Sequence, residues 1–570
     1  MARLLALALL LCGAASQDDP VGRKLEARTN LRDLRGSRRA LSDFKDSDAF
    51  VAVFLGVDCP LSNLYIPRLL ELEAEARPRK VRFLAVYPNE GESLDAVAAH
   101  ADERAIPFLV LKDFGQKLAG ALGVQRTPEV AVLDRGLTLR YRGRIDDQYG
   151  VAYRREKPER RDLADAIDAV LAGKPAAQAE ADGCLISRRA TVDEKADVTF
   201  SRDVLPILQK KCQACHRPGQ IGPFPLLSYE DAADHAATLR EVVVQKRMPP
   251  WHADPRHGKF INDRSLSPAE IRTIAAWVAS GNPRGDPKDA PPPVEWPKDW
   301  RIGTPDAVLS MPKEVDVPAA GVMPYLTFSV PTGFGEDRWV TKAEVRPGDP
   351  RVVHHVLVYV KLPGRDIYQL DGTSAAFAGW VPGDMPFEHP PGMAVRIPKE
   401  AELLIEIHYT PNGTATRDRT SVGVVFAKEP PARESRMNIF AKIGIRIAAG
   451  SPHHREESTL TFRQDVRILS ALPHMHVRGK SWKYEAVYPD GRVETLLNVP
   501  RWDFNWQSVY RFDPPVLLPK GSKIRSTAHW DNSDNNPANP DPSKDVRWGL
   551  QTWEEMMNGW VQWVPEKPDR

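Results

Sequence analysis

Apolar runs and helical spacing alternate from Phe44 to Ala172. FVAVFLGV (50–57), VRFLAVYP (81–88) and VAVLD (130–134) read as buried strands, while 61–77, 92–103 and 159–172 carry helical patterns. That alternation predicts an α/β domain over 17–180. VTFSRDVLPILQKK then reads as an amphipathic helix. Further on, Ser267-Pro268-Ala269-Glu270 joins a capping box to a proline at the first helical position. Ile271, Ile274, Ala275 and Val278 form one apolar stripe, and Gly281 ends that helix. DPKDAPPPVEWPKDW (286–300) is proline-rich and charged, as linkers are. Beyond it VVHHVLVYV, ELLIEIHYT, DVRILSALPHMHV and SWKYEAVY predict strands parted by Gly, Pro and Asp turns, a pattern that suits sandwiches.

At 570 residues the chain exceeds one core, so several domains are expected. A formal net charge of +2 argues against a nucleic-acid or anionic-membrane partner. MARLLALALLLCGAASQ has one positive charge, an apolar run from Leu4 to Leu11, and small residues at Ala14 and Ser16. It reads as a secretory signal peptide over 1–16, too short for a stable anchor. Leu11 stands where lipidation of Cys12 would need a small residue. No later segment is long and apolar enough to cross a bilayer, so a periplasmic or extracellular protein without stable membrane insertion is expected.

Four cysteines remain after cleavage: Cys59, Cys184, Cys212 and Cys215. In an oxidising compartment Cys59 and Cys184 are a disulfide or a redox couple, and spacing does not choose between them. Cys59-Pro60-Leu61-Ser62 falls where a strand gives way to a helix, whose amino terminus lowers a thiol's pKa. Thr127-Pro128, just before another strand, suits a cis-proline facing that thiol. These features resemble the thioredoxin-like redoxin superfamily, with CPLS in place of the usual CxxC. Ser62 cannot form a disulfide. Either Cys184 resolves Cys59, or the domain is structural or chaperone-like.

CQACH, Cys212 to His216, has the spacing of covalent haem attachment, two thiols for the vinyl groups and His216 for the iron. Together with its flanking helices, the segment 196–285 resembles a small class I cytochrome c. Methionine is the usual distal ligand there. Met248 in RMPPW is the choice, because the rigid Pro-Pro after it can hold a loop over the haem; His235, His252 and His257 are its rivals.

Five histidines and a methionine follow: His354 and His355, His408 in EIHYT, His474 and His476 in PHMH, and Met556 in EEMM. Imidazole suits copper and a thioether favours Cu(I), so the two sets read as two unlike copper sites. In ELLIEIHYT, Leu403, Ile405, Ile407 and Tyr409 share one face, while Glu406 and His408 share the other. His474 and His476, two apart, project together, with Met475 and Val477 opposite. His354 and His355 face opposite sides of a regular strand. They can share a metal only if a bulge or strand end re-aims one, or if different ring nitrogens bind. His529 reads as a structural residue in a polar loop, His389, His453 and His454 as solvated, Met557 as a substitute for Met556, and Asn412-Gly413-Thr414 as a turn.

The region from about 300 to 563 resembles the copper type II, ascorbate-dependent monooxygenases, the family of peptidylglycine α-hydroxylating and dopamine β-monooxygenases. The matching features are HHV (354–356), GWVPG (379–383), PPGMAVRIPKEAELLIEIHYTPNG (390–413), HMHVRGK (474–480) and TWEEMM (552–557). The resemblance implies two jelly-roll-like β-sandwiches, at 301–428 and 429–566. It implies an electron-transfer copper on His354, His355 and His408, and a catalytic copper on His474, His476 and Met556, where O2 binds. Leu472 stands where the peptide-amidating enzymes place an arginine and Trp560 where they have a tyrosine, whereas Asn558 is retained; peptidyl-glycine is thus not the expected substrate. The expected protein is multidomain: α/β thioredoxin-like, all-α cytochrome c-like, and two all-β sandwiches. It would carry two coppers and one haem c and hydroxylate a C–H bond of a small organic substrate with O2. Electrons would come from an external ascorbate-like donor or the fused cytochrome. The alternative is a non-enzymatic periplasmic electron-transfer or copper-handling protein.

Overall fold

The computed structural model describes residues 20–26, 31–44, 46–150, 153–187, 197–297, 299–361, 375–382 and 386–567. The expected signal peptide, with Cys12, and Gly383 of GWVPG lie outside them. Two compact units form, one from residues up to 33, 37–92 and 108–188, the other from 34–36, 93–107 and 189 onward. Among the described residues no helix is long and apolar enough to cross a membrane.

The first unit is built on a seven-stranded sheet. Ala49–Phe54 is one of its inner strands, buried at every position, which explains why that run lacks polar alternation. Val81–Tyr87 pairs with it in parallel and Glu129–Asp134 antiparallel. The helix Pro60–Ala76 follows Ala49–Phe54, with Cys59 as its N-cap. Cys184–Leu185 pairs antiparallel with Arg126–Thr127, so the unit continues past residue 180.

In the second unit, the named elements of residues 200–279 are all helices, packed around Trp277, Phe200 and Leu208, with an isolated β-bridge from Phe260 to Phe512. The helix expected over VTFSRDVLPILQKK opens instead as a π-turn, Phe200–Val204, before Leu205–Lys211. Pro206 has no N–H for the carbonyl four residues back, so the preceding turn widens. Ser267 and Glu270 make the expected capping box.

Two β-sandwiches follow. In the first, a sheet ordered Leu326–Pro331, Glu402–Tyr409, Val353–Lys361, Ala375–Trp380 faces a second sheet centred on Arg338–Arg346. In the other, Arg436–Ala441, Asn558–Pro565, Val466–His474 and Tyr510–Leu518 face His454–Thr461, Lys523–Trp530, Gly479–Val487 and Val493–Val499. Each pair of sheets encloses its own core. Tyr359 and Leu404 of the first sandwich meet Trp560 of the second in a smaller apolar cluster.

The strand expected through PHMH ends at His474, so His476 lies in the turn beyond it. Glu555 holds that turn. Its carboxylate, fully buried, accepts from the backbone N–H of His476 (2.9 Å) and of Arg478 (2.7 Å), and from Nε1 of Trp530 (3.0 Å). Burial pushes its carboxyl up to about 7. His529 is not in a loop: it lies on Lys523–Trp530, its ring stacked on His453 at 4.2 Å. His454 begins a strand, and half-buried His389 pairs with Thr341 O and Gln562 Nε2. His389, His453 and His454, expected as solvated, are each partly buried and partnered: His454 heads a strand and lies 3.3 Å from Glu456, while His389 and His453 sit just outside strands yet pack against other elements. Replacing Glu555 with Leu strands three buried donors at about 1 kcal/mol or more each. The metal-free chain is expected to lose about 3 kcal/mol, measured by urea unfolding followed by tryptophan fluorescence.

Candidate metal and redox centres

The strands Val353–Lys361 and Glu402–Tyr409 pair Val353 with Tyr409 and then His355 with His408, leaving His354 as an extra residue. That bulge turns His354 to the side of His355. Nδ1 of His354 lies 2.9 Å from Nδ1 of His355 and 3.4 Å from Nδ1 of His408. All three rings are buried, and their ligand atoms lie within 4.8 Å of one another. A neutral imidazole has one N–H, so three converging Nδ1 atoms cannot all satisfy one another. Nε2 of His355 is buried with no partner. Burial, assisted by the neighbouring imidazoles, lowers His354 to about 3 and His408 to about 4, and holds His355 far below its usual range. The three are therefore neutral, the form that binds metals. Tyr325 stacks on His408 at 4.5 Å and Phe504 on His354 at 4.7 Å.

The second set stands opposite, with His474 and His355 ring centres 6.1 Å apart. Nδ1 of His474 donates to Oε1 of Gln507 at 2.6 Å, and Nδ1 of His476 to the Glu554 carbonyl at 3.2 Å. Both rings thus keep Nε2 for a ligand bond, and that of His476 is buried and unpartnered. Met556 is buried, its sulfur accepting from Asn558 Nδ2 at 3.3 Å. Met557 belongs to the sandwich core. His474 and Met556 line a cavity of about 60 Å³ with Tyr359, Glu406, Trp548 and Trp560. Two imidazoles and a thioether here, three imidazoles opposite, fit the donor preferences of copper.

Cys212, Cys215, His216 and Met248 all line one cavity of about 540 Å³, walled by apolar residues such as Phe224, Leu239 and Val242. Nδ1 of His216 lies 3.0 Å from the Phe224 carbonyl, which leaves Nε2 for a metal. A Cβ on Gly222 would sit 2.6 Å from the Cys215 carbonyl, so the chain passes this close only with glycine there. His235, stacked on Phe224 at 3.8 Å, and His252 and His257 do not line the cavity. The donors and the apolar walls fit a covalently held haem. Trp506 lines the same cavity. It lies two residues from Phe504 and beside Gln507, so one short segment touches the cavity and both triads.

In the first unit, Sγ of Cys59 lies 3.2 Å from Sγ of Cys184, and both thiols are free. Cys59 is 4% exposed, whereas Cys184 is open to solvent. The Thr127-Pro128 bond is cis, and Cys59 Sγ lies 2.9 Å from the Thr127 carbonyl. Burial acts to raise the Cys59 thiol, but its hydrogen bonds with Ser62, Thr127 and Cys184, of which the Ser62 N–H is the donor to the sulfur, hold it below its usual value. Cys184 is pushed up to about 11 by its own burial and by Cys59.

Glu555, Gln507, Phe504 and Tyr325 were not picked out from the sequence. Phe504 and Gln507 lie in RWDFNWQS, where three aromatic residues at alternating positions offered a signal. Glu555 and Tyr325 offered none.

Residues 20–154 match the model of the redoxin family. A hypothetical protein from Sinorhizobium meliloti 1021 is 29% identical, with a TM-score of 0.26, over 30% of this chain and 97% of its own. An uncharacterized conserved protein from Geobacillus kaustophilus is 27% identical, with a TM-score of 0.28, over 31% of this chain and 95% of its own. A secreted Mycobacterium tuberculosis disulfide oxidoreductase, homologous to E. coli DsbE, is 15% identical, with a TM-score of 0.19, over 26% and 96%. No curated protein is similar to this chain at a significant level. The chain is thus multidomain, with a redoxin domain of thioredoxin-like α/β fold at its amino end and β-sheet domains after it, and its coarse character is that of an oxidoreductase.

Proposed function

We propose that the chain is an extracytoplasmic dicopper monooxygenase that hydroxylates a C–H bond of a small organic substrate with O2. The observation that supports this reading best is the convergence of His354, His355 and His408, whose ring nitrogens cannot all satisfy one another, with His474 beside His476 and sharing a cavity with Met556. Copper held by His354, His355 and His408, and by His474, His476 and Met556, would supply single-electron transfer and O2 activation. Cys212, Cys215, His216 and Met248 would hold haem c, which would store one further electron.

The chain's own residues set the conditions for that chemistry. Burial keeps the five imidazoles neutral, so acid competes with metal only well below neutrality. Gln507 and the Glu554 carbonyl fix the ring tautomers of His474 and His476. Tyr359, Leu404 and Trp560 close the space between the sandwiches with apolar surface, which excludes water and favours an uncharged substrate. Leu472 joins that cluster and offers no charge to a carboxylate. A cavity beside Met556 and His474 favours an enzyme over a copper carrier, which needs affinity alone.

Purified chain is expected to hold two coppers and one covalent haem, measured by elemental analysis and a haem stain, and to consume O2 with reductant and substrate. Copper retained after alanine replaces all six donors would end the proposal. Cys212→Ala with Cys215→Ala should leave copper content intact and slow turnover driven by the natural donor; unchanged turnover would remove the haem region from the electron route. Gln507→Leu removes the partner of His474 and should weaken copper binding at that triad by about 10–100-fold, read by competitive titration with a chromogenic chelator.

A further inference from the structure

Cys59 and Cys184 take no part in the metal chemistry, yet they are placed to react with each other. Their sulfurs are 3.2 Å apart as thiols, and a disulfide of about 2.0 Å needs only a small movement of either side chain. The two are held differently. Cys59 is capped under the amino terminus of Pro60–Ala76, with the Ser62 N–H aimed at its sulfur at 3.4 Å. Cys184 lies on Cys184–Leu185, which is hydrogen-bonded to Arg126–Thr127. Gly183 lets this strand approach, since a Cβ there would sit 2.4 Å from the Thr127 carbonyl. Leu185 beside it is 67% exposed, an apolar contact for a polypeptide.

We propose that Cys59 and Cys184 form a reversible disulfide that oxidises the dithiols of exposed polypeptide segments, with Cys184 as the sulfur under attack and Cys59 as the leaving group. Exchange requires the attacking, central and leaving sulfurs to come into line. Only Cys184 is open to solvent, and Cys59 lies behind it, so an incoming thiolate meets them in that order. The helix terminus and the Ser62 N–H favour Cys59 as a thiolate, and a more acidic thiol leaves faster. The same contacts stabilise the reduced pair, which makes the disulfide oxidising.

The exchange has two steps. A substrate thiolate bonds to Cys184 Sγ, the bond to Cys59 breaks, and its electron pair leaves on Cys59. The second substrate thiolate then attacks the substrate sulfur of the mixed disulfide and displaces Cys184, which takes up a proton. The substrate loses two electrons and two protons; the pair gains the electrons, Cys184 keeps one proton, and the other goes to solvent.

The test uses the full chain oxidised with diamide, freed of reagent, pulsed with glutathione or a peptide dithiol, quenched in acid and mapped by mass spectrometry. A Cys59–Cys184 cross-linked peptide is expected before the pulse, and glutathione on Cys184 after it. One equivalent of peptide dithiol should be oxidised per chain. Pulsed instead with oxidised glutathione, whose own disulfide is the bond broken, Cys59→Ser should form a Cys184 adduct that persists, and Cys184→Ser should form the Cys59 adduct at least about tenfold more slowly than that. Glutathione found on Cys59 of the unsubstituted chain, absence of the cross-link, or a cross-link inert to excess dithiol would each overturn the proposal. Mapping by peptide separates these adducts from any on Cys212 or Cys215.

Discussion

One residue too many in a single strand governs the arrangement of the buried histidines in the sandwich half. Were Val353–Lys361 regular against Glu402–Tyr409, consecutive side chains would alternate, and His354 or His355 would be lost to the far face. The bulge at His354 sends both imidazoles the same way, and His408 arrives from the paired strand to complete the group. The cost is a set of buried rings whose nitrogens cannot satisfy one another. Unpaired buried polar atoms are unfavourable in a dry interior, so a bound cation would relieve what the fold otherwise leaves strained.

The sequence was most legible where one period or one motif decided the answer. Strand and helix spans in the redoxin domain were readable from uninterrupted apolar runs such as Ala49–Phe54. The orientation of His408 followed from alternation, since Leu403, Ile405, Ile407 and Tyr409 do fill the core. Convergence of His354 with His355 was legible only as a condition, because a bulge is a mismatch between two strands and neither strand carries it alone. His476 joins His474 through a turn rather than along a strand, and the cause is a carboxylate some eighty residues later, Glu555. Long-range hydrogen bonds of that kind leave no local period. The same reason hid the stacking of His453 on His529 and the packing of His389, whose polar flanks resemble those of a solvated loop.

The sandwiches and the redoxin domain both bury a donor atom and arrange its hydrogen bonds. In the sandwiches, one ring nitrogen is committed to Gln507 or to a carbonyl so that the other remains free. In the redoxin domain, Cys59 is sunk at a helix terminus while its neighbour stays at the surface. The difference lies in access. The imidazoles face an interior space between packed sheets, whereas the thiol pair opens to solvent through Cys184.

The segment from Phe504 to Gln507 works as a ruler. It lays one ring on His354, another on the wall that holds Cys215 and Met248, and an amide on His474. Such a span cannot gain or lose a residue without dislodging every contact beyond the change. Loops elsewhere in these sandwiches can vary in length at little cost, but here chain length itself becomes a fixed dimension of the molecule, as binding as the identity of any ligand.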